Sequence, residues 1–237
     1  MKPLFGGLLI CLLYCSCKSM SFTQKTLPAA IPIQDYRKSI VIVDAGEVLT
    51  PGLAITKKRN EVVNDVKRVY LSRLSDVLKT DLQLAVFQDT VLSADQKKSL
   101  LEGDTAIIRR LQQRDHAGLI LVMQEYDGGF SQDDVTRTKN NDGSVSKLAH
   151  YSVFFNTELT VLQQDRVYHK RVTASRPHSE RSVLSGLLAR GPGYESNRKD
   201  IVAMAEQNAR NVSGLFRDRI GMMNQRGEFI ENASRRP

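Results

Sequence analysis

The stretch Ser39–Asp44 reads SIVIVD, a continuous run of β-branched residues between a serine and an aspartate. Such a run is typical of a β-strand that is buried on both faces. Between Asn60 and Lys79, apolar residues recur at helical spacing with charges between them, which predicts a long amphipathic helix that packs on this strand. The range 82–87 predicts a second strand. The chain therefore begins with a strand, a helix and a strand in that order.

Two helix start signals and another apolar run extend this pattern. Ser93 and Gln96 have the spacing of a capping box, and Asp104 can cap the helix that follows. The range 118–123, GLILVM, predicts a third buried strand. Because strands and helices alternate, we expect crossover units with parallel strand pairing.

The pattern changes after this third strand. The range 128–147 is rich in Gly, Asn, Asp and Ser, which predicts a long exposed loop with a tight turn at 141–143. Alternating residues over 151–162, followed by 167–175, predict a long antiparallel hairpin. Apolar positions over 199–220 predict a closing helix. The expected fold class is α/β, a mixed sheet with parallel crossover units, a long antiparallel hairpin and a C-terminal helix.

The N-terminal segment predicts export and lipidation. Lys2 is followed by an apolar run over 4–13 and then by small residues that end at Cys17. This layout is that of a secretory signal peptide, and the run is too short for a permanent helix across a bilayer, which needs about 20 residues. Ser16 before Cys17 fits the site of a bacterial lipoprotein signal peptidase, after which the cysteine is diacylated.

The cysteine pattern supports this interpretation over an ordinary signal peptide with accidental cysteines. All three cysteines lie at or before Cys17, so no disulfide framework is available to the mature chain. Cys11 and Cys15 fit the processing site less well, and Tyr14 departs from its usual branched aliphatic residue. Lys18 stands where an aspartate commonly retains lipoproteins at the inner membrane. We therefore expect a lipid anchor at Cys17 in the outer membrane, facing the periplasm.

Composition and charge limit the class of protein and the kinds of partner expected for the rest of the chain. Apolar residues make up 41% and charged residues 25%, as in a globular protein. Removal of the signal peptide takes away Lys2 and lowers the formal charge from +8 to +7. The basic residues are scattered among acids, which favours a solvated surface near an anionic membrane over a nucleic-acid partner. The expected organisation is a signal peptide at 1–16, a lipidated tether at 17–38, one α/β domain at 39–222 and a polar tail at 223–237.

The element order resembles a domain found in several envelope proteins. An exported cysteine, alternating strands and helices, a hairpin and a closing helix also occur in the α/β domain shared by the curli-secretion lipoprotein CsgG, the penicillin-binding-protein activator LpoB and the N-terminal domain of TolB. A family of uncharacterised lipoproteins is similar, with small residues in the last helix, here Ala203, Ala205, Ala209 and Gly214. The resemblance covers roughly 39–220. It implies an envelope accessory or interaction module and not an enzyme.

Catalytic candidates are few. The four histidines lack metal-ligand spacing, so neither a metal site nor a cofactor is predicted. Asp44 and Glu47 follow the first strand, where α/β sheets place ligand-binding loops. His150 and His169 could lie near each other if the predicted hairpin pairs them. These four residues are the candidate site of an alternative function, an envelope hydrolase.

A glycine-bearing segment, 186–193, is the candidate surface for a partner. Arg190 and Tyr194 are residue types that anchor interfaces, and glycine and proline beside them fix an irregular backbone. The sequence therefore favours a lipid-anchored, non-catalytic binding or accessory module of the cell envelope with a protein partner. A subunit of an oligomeric secretion assembly is a second alternative.

Overall fold

The computed structural model of the chain describes most residues from Thr23 to Glu231 and divides the chain into two compact units. The described residues are 23–35, 38–49, 56–143, 145–163, 166–178, 182–184, 192–223 and 229–231. The predicted signal peptide, Cys17 and Arg190 lie outside them. One unit spans Ala29–Arg217. The other belongs to the chain ends, where β1 (Thr23–Leu27), β8 (Arg219–Met223) and β9 (Phe229–Glu231) form an antiparallel sheet.

The larger unit contains a mixed sheet in the strand order β3-β2-β4-β5-β6, with β7 paired to β5. Its strands are β2 (Ser39–Val48), β3 (Val86–Asp89), β4 (Ala117–Lys139), β5 (Val145–Gln163), β6 (Arg166–Pro177) and β7 (Ser182–Leu184). β2 pairs in parallel with β3 and β4, whereas β5 pairs antiparallel with both β4 and β6. The predicted fold class is confirmed.

Helices cover both faces of this sheet. They are α1 (Thr56–Leu82), α2 (Ala94–Leu101), α3 (Thr105–Arg114) and α4 (Arg198–Ser213). Ile40 and Ile42 of β2 pack in a core with α1 and α4, and Val41 and Val43 pack in a second core with α2 and α3. The unbroken apolar run in β2 follows from burial on both faces. None of the described helices is long and apolar enough to cross a membrane.

The helix starts that the sequence predicts are confirmed at α2 and α3. The Ser93 hydroxyl accepts the N–H of Gln96, and the Gln96 side chain accepts the N–H of Ser93, which completes the capping box. The Asp104 carboxylate accepts the N–H groups of Ala106 and Ile107. These bonds satisfy N–H groups that have no partner within a helix.

The predicted second strand begins later than expected. α1 continues to Leu82, and Gln83 then takes a φ of 54°, in the left-handed region that ends many helices. The N–H of Gln83 donates to the carbonyl of Lys79, which closes the last turn. Leu82 and Leu84 are buried, so they gave the same apolar signal as a strand although β3 starts only at Val86.

The predicted loop over 128–147 is wrong, because most of this range belongs to β4 and β5. β4 runs to Lys139, and Lys139 pairs with Val145 across the tight turn that the sequence predicts. In that turn the N–H of Gly143 donates to the carbonyl of Asn140, and Gly143 has a φ of +83°. Residues 131–134 are exposed one after another. A strand that buries neither face has no alternating apolar pattern to reveal it.

The closing helix also differs from the sequence prediction. α4 ends at Ser213, a 3₁₀ turn follows at Gly214–Phe216, and β8 starts at Arg219, so the closing helix is shorter than the predicted 199–220. β1 lies within the predicted tether and β9 within the predicted polar tail.

The buried Asn208 joins α4 to the sheet. Its side chain is 0% exposed and donates to the carbonyls of Phe155 and Val172. Its Oδ1 accepts the hydroxyl of Thr157, which is itself 1% exposed. Burial of an amide is favourable only when its hydrogen bonds are made, and these three contacts make them.

The strand at one end of the sheet order, β6, is strongly basic. It reads RVYHKRVTASRP and contains no acidic residue. Arg171 reaches Glu158 on β5 at 3.7 Å, and Arg176 reaches Asp200 at the start of α4. Part of the net positive charge of the protein is therefore concentrated on this strand.

Candidate functional site

A cleft of about 950 Å³ lies where β2 ends, and Asp44 and Glu47 both line it. The pairing of β2 with β4 shifts register between these two residues, as at a β-bulge, so the regular hydrogen-bond pattern is interrupted near the end of β2. We call this cleft the carboxyl-edge cleft. Its position matches the ligand-binding edge of α/β sheets, on which the sequence prediction was based.

Asp44 is held by three neighbours. Its Oδ2 lies 2.9 Å from the Nζ of Lys67 on α1, and its Oδ1 accepts the hydroxyl of Tyr126 at 2.9 Å. The N–H of Gly46 also donates to Oδ1, at 3.3 Å. Both carboxylate oxygens are therefore engaged by groups of the protein.

Lys67 completes this network. Its Nζ donates to the carbonyl of Gly46 at 2.7 Å and lies 4.7 Å from the centre of the Tyr126 ring. A methyl group at Gly46 would stand 2.6 Å from that ring, so glycine is required for this close approach. Burial first, and then the charge of Asp44, raise the pKa of Tyr126 well above its ordinary value. The Tyr126 hydroxyl therefore stays protonated and donates to Asp44.

The rest of the carboxyl-edge cleft is lined by both apolar and charged side chains. Leu49 is 40% exposed and Leu101, at the end of α2, is 36% exposed. Two lysines and one aspartate of α2 also line the cleft. Glu125 also lines the cleft, and burial, followed by the charge of the facing Glu158, raises its pKa. Exposed apolar side chains with polar residues around them are found at surfaces that contact another molecule.

The two histidines of the predicted hydrolase site lie far apart, so the predicted juxtaposition is wrong. His169 of β6 pairs with Thr160 of β5, and its Nδ1 lies 2.8 Å from the Thr160 hydroxyl. His150 is ten residues from Thr160 along β5, or about 33 Å at the rise of a strand. Its Nε2 lies 2.9 Å from the hydroxyl of Thr136. The register of the hairpin separates them, because His169 is near the turn and His150 is near its far end.

The histidines are also separate from the two carboxylates. Val43, next to Asp44, lies in one row with Val122, Thr160 and His169, so three strand spacings, about 14 Å, separate β2 from His169. The structure brings Asp44 and Glu47 together and leaves both histidines elsewhere on the sheet.

Tyr194, the other predicted partner residue, packs against the protein. Its ring is 5.6 Å from that of Phe130, in an edge-to-face arrangement. Gly129 has a φ of +148°, and a methyl group there would stand 2.9 Å from the Tyr194 ring. Burial raises the pKa of Tyr194, against the opposing effect of the neighbouring Arg59. Tyr194 is thus half-buried and packs on the middle of β4.

Arg59 is a buried cation that the sequence prediction missed. Its side chain is 6% exposed, pairs with Asp127 and donates to the carbonyl of Leu49 at 2.6 Å. Arg59 and Lys67 stand at helical spacing from the buried Val63, on the apolar side of α1. A charge on an apolar helix face is the sequence signal that could have identified both.

Among the described residues, no group of three or more His, Cys, Asp or Glu side chains could hold a metal ion. No family model and no curated protein matches the sequence.

Several solved structures align with much of the chain at low similarity. A Helicobacter pylori protein classed as a neuraminyllactose-binding hemagglutinin homolog is 12% identical, covers 78% of this chain and 83% of its own, and has a TM-score of 0.37. The PelC dodecamer from Paraburkholderia phytofirmans is 12% identical, with coverages of 82% and 98% and a TM-score of 0.35. The hypothetical protein CT253 from Chlamydia trachomatis is 13% identical, with coverages of 73% and 98% and a TM-score of 0.36. At these scores the likeness carries no argument about function.

Proposed function

We propose that this chain is a lipid-anchored module of the bacterial outer membrane that faces the periplasm and binds another envelope protein without catalysing a reaction. The observation that carries the proposal is the composition of the carboxyl-edge cleft. The carboxylate of Asp44 is engaged by Lys67 and Tyr126, while Leu49 and Leu101 are exposed in the same cleft. An accessory role also agrees with the resemblance to the envelope lipoproteins.

The engaged state of Asp44 favours binding over hydrolysis. A general base must reach the proton that it removes, and a nucleophile must reach the bond that it attacks. Asp44 uses one oxygen for the Lys67 ammonium and the other for the Tyr126 hydroxyl and the Gly46 N–H. This carboxylate is suited to holding α1 and β4 in place around the cleft.

The exposed leucines favour contact with a protein surface. An apolar side chain that is one-third exposed gains free energy when a partner covers it, at about 25 cal/mol per Å². The lysines of α2 and the acids at the cleft can fix the orientation of that partner, since rim charges mainly set specificity and association rate.

The anchor is tested by replacement of the candidate lipidation site. Cys17→Ala should abolish incorporation of labelled palmitate and release the protein from the outer-membrane fraction, because no acyl group can then be attached. Cys15→Ala is the matched control and should retain both properties. Persistent labelling in Cys17→Ala would contradict the proposed processing site.

The binding surface is tested by a paired substitution in the cleft. Leu49→Ser with Leu101→Ser should lower capture of the crosslinked envelope partner at least tenfold, because two apolar contacts are removed. Val167→Ser on β6 is the control, since Val167 is 56% exposed but lies outside the cleft. Equal capture by all three proteins would refute this surface. Loss of an envelope hydrolase activity in Asp44→Asn, with normal folding, would favour the alternative function.

A further inference from the structure

A second cleft, of about 1000 Å³, lies at the opposite edge of the larger sheet, where β2 and β4 begin and β5 ends. α3 forms one wall, and the segment that leads into β2 forms another. We call it the amino-edge cleft. Its volume is at the upper end of the range for small-molecule sites, which is about 300 to 1,000 Å³.

Gln163, at the end of β5, is the most informative residue of this cleft. The residue is only 2% exposed, yet its Oε1 has no hydrogen-bond partner among the described residues. Buried amide oxygens are paired in the great majority of cases, so an exception needs an explanation. A ligand that enters the cleft and offers an N–H to Gln163 would supply the missing partner.

Two cations and one acidic residue, Asp35, line the amino-edge cleft. Lys38 and Arg109 both line it and are exposed. The stem of Lys38 crosses Gly118, where a methyl group would stand 2.7 Å from the Lys38 Cβ. Glycine at 118 therefore leaves room for the Lys38 side chain. The amides of Gln112 and Gln113 on α3 lie in the same wall.

The floor of the cleft is apolar. Ile33, Leu84 and Leu119 line it and are nearly buried, and the partly buried Ile108 of α3 faces them. A ligand that fits must therefore combine an apolar group, an N–H donor and an anionic group. No aromatic ring that could stack on a sugar is found among the described lining residues, apart from the exposed imidazole of His116.

We propose that the amino-edge cleft binds a short peptide that carries a free carboxylate. A peptide N–H donates to the Oε1 of Gln163, the carboxylate pairs with Arg109 and Lys38, and an apolar side chain packs on Ile33 and Leu84. Glutamine amides suit this ligand because each has a donor and an acceptor, as a peptide group has. Arginine suits it because its guanidinium can bind a carboxylate with two parallel hydrogen bonds.

The experiment uses the full-length protein, solubilised in detergent and immobilised. Two pools of acetylated tripeptides of random sequence are passed over it, one with free carboxyl termini and one with amidated termini. The free-carboxylate pool should be retained at least tenfold better. Arg109→Gln should remove that preference, whereas Arg110→Gln, an exposed neighbour on α3 outside the cleft, should keep it.

Gln163→Leu separates a binding role from a structural one. If the Oε1 of Gln163 binds the peptide, this variant should retain the peptide at least tenfold less well. Its melting temperature should equal or exceed that of the wild type, because an unpaired buried polar atom is removed. A lower melting temperature with unchanged retention would overturn the proposal. Equal retention of the two pools by the wild type, or preferential retention of a uronic-acid oligosaccharide, would overturn it as well. None of these results depends on the carboxyl-edge cleft.

Discussion

Asn208→Ala should be one of the most damaging single changes in the helix α4, because it removes three buried hydrogen bonds at once. Each such bond contributes about 1 kcal/mol net, which gives about 3 kcal/mol. The hydroxyl of Thr157 and the carbonyls of Phe155 and Val172 lose this partner in the interior, which places the loss nearer 4 kcal/mol.

Urea denaturation followed by circular dichroism measures this loss. With a slope of about 2 kcal/mol per molar urea, the midpoint should fall by about 1.5 to 2 M. The matched control is Asn211→Ala on the same helix. It loses two solvent-exposed bonds, one to the carbonyl of Thr173 and one from the Gln207 amide, and the cost should stay below about 1 kcal/mol. Thr157→Val should destabilise the Asn208→Ala protein less than it destabilises the wild type, because the shared bond is already gone. A loss of less than about 1 kcal/mol in Asn208→Ala would refute the role assigned to this residue.

Two further predictions concern the strands beside the carboxyl-edge cleft. The raised pKa of Glu125 means that the folded protein binds this proton more tightly than the unfolded chain, so its ionisation lowers stability as pH rises above the ordinary value of 4.5. Glu125→Gln should therefore raise the urea midpoint at pH 7 and leave it unchanged near pH 4; a lower midpoint at pH 7 would contradict the assigned shift. Gly129→Ala should lower the melting temperature more than Gly143→Ala, because both have positive φ but only the methyl group at 129 would meet Tyr194. Equal losses, measured by calorimetry, would mean that Tyr194 moves aside freely.

The larger sheet was predictable where burial leaves a pattern in the sequence. Val41, Val43, Ile120 and Val122 are each at most 1% exposed, in neighbouring parallel strands, as the continuous apolar runs predict. The polar ends of β4 and β5 were not predictable in this way. They are held by backbone pairing across the turn, and backbone hydrogen bonds do not depend on side-chain type.

The candidate site was predictable only in part. The position of Asp44 and Glu47 follows from strand order, since the ends of parallel strands line the ligand edge. Lys67 and Tyr126, which hold Asp44, lie 23 and 82 residues away in the chain and meet it only through tertiary packing. The separation of the histidines depends on hairpin register, which is set by the position of the turn.

The basic character of β6 has a consequence for how the protein behaves in concentrated solution. A strand at the end of a sheet can pair with another chain along the part of its edge that is not already bonded. In β6, side chains of α4 already bond the carbonyls of Val172 and Thr173. Two copies that approached through β6 would bring Arg166, Lys170 and Arg171 of each strand together, and their repulsion disfavours such pairing. Salt weakens this repulsion, since the screening length falls from about 10 Å at 0.1 M to about 3 Å at 1 M. High-salt buffers, which are routinely used to release peripheral contaminants from membranes, should therefore promote self-association of this protein, and low-salt buffers should keep it dispersed.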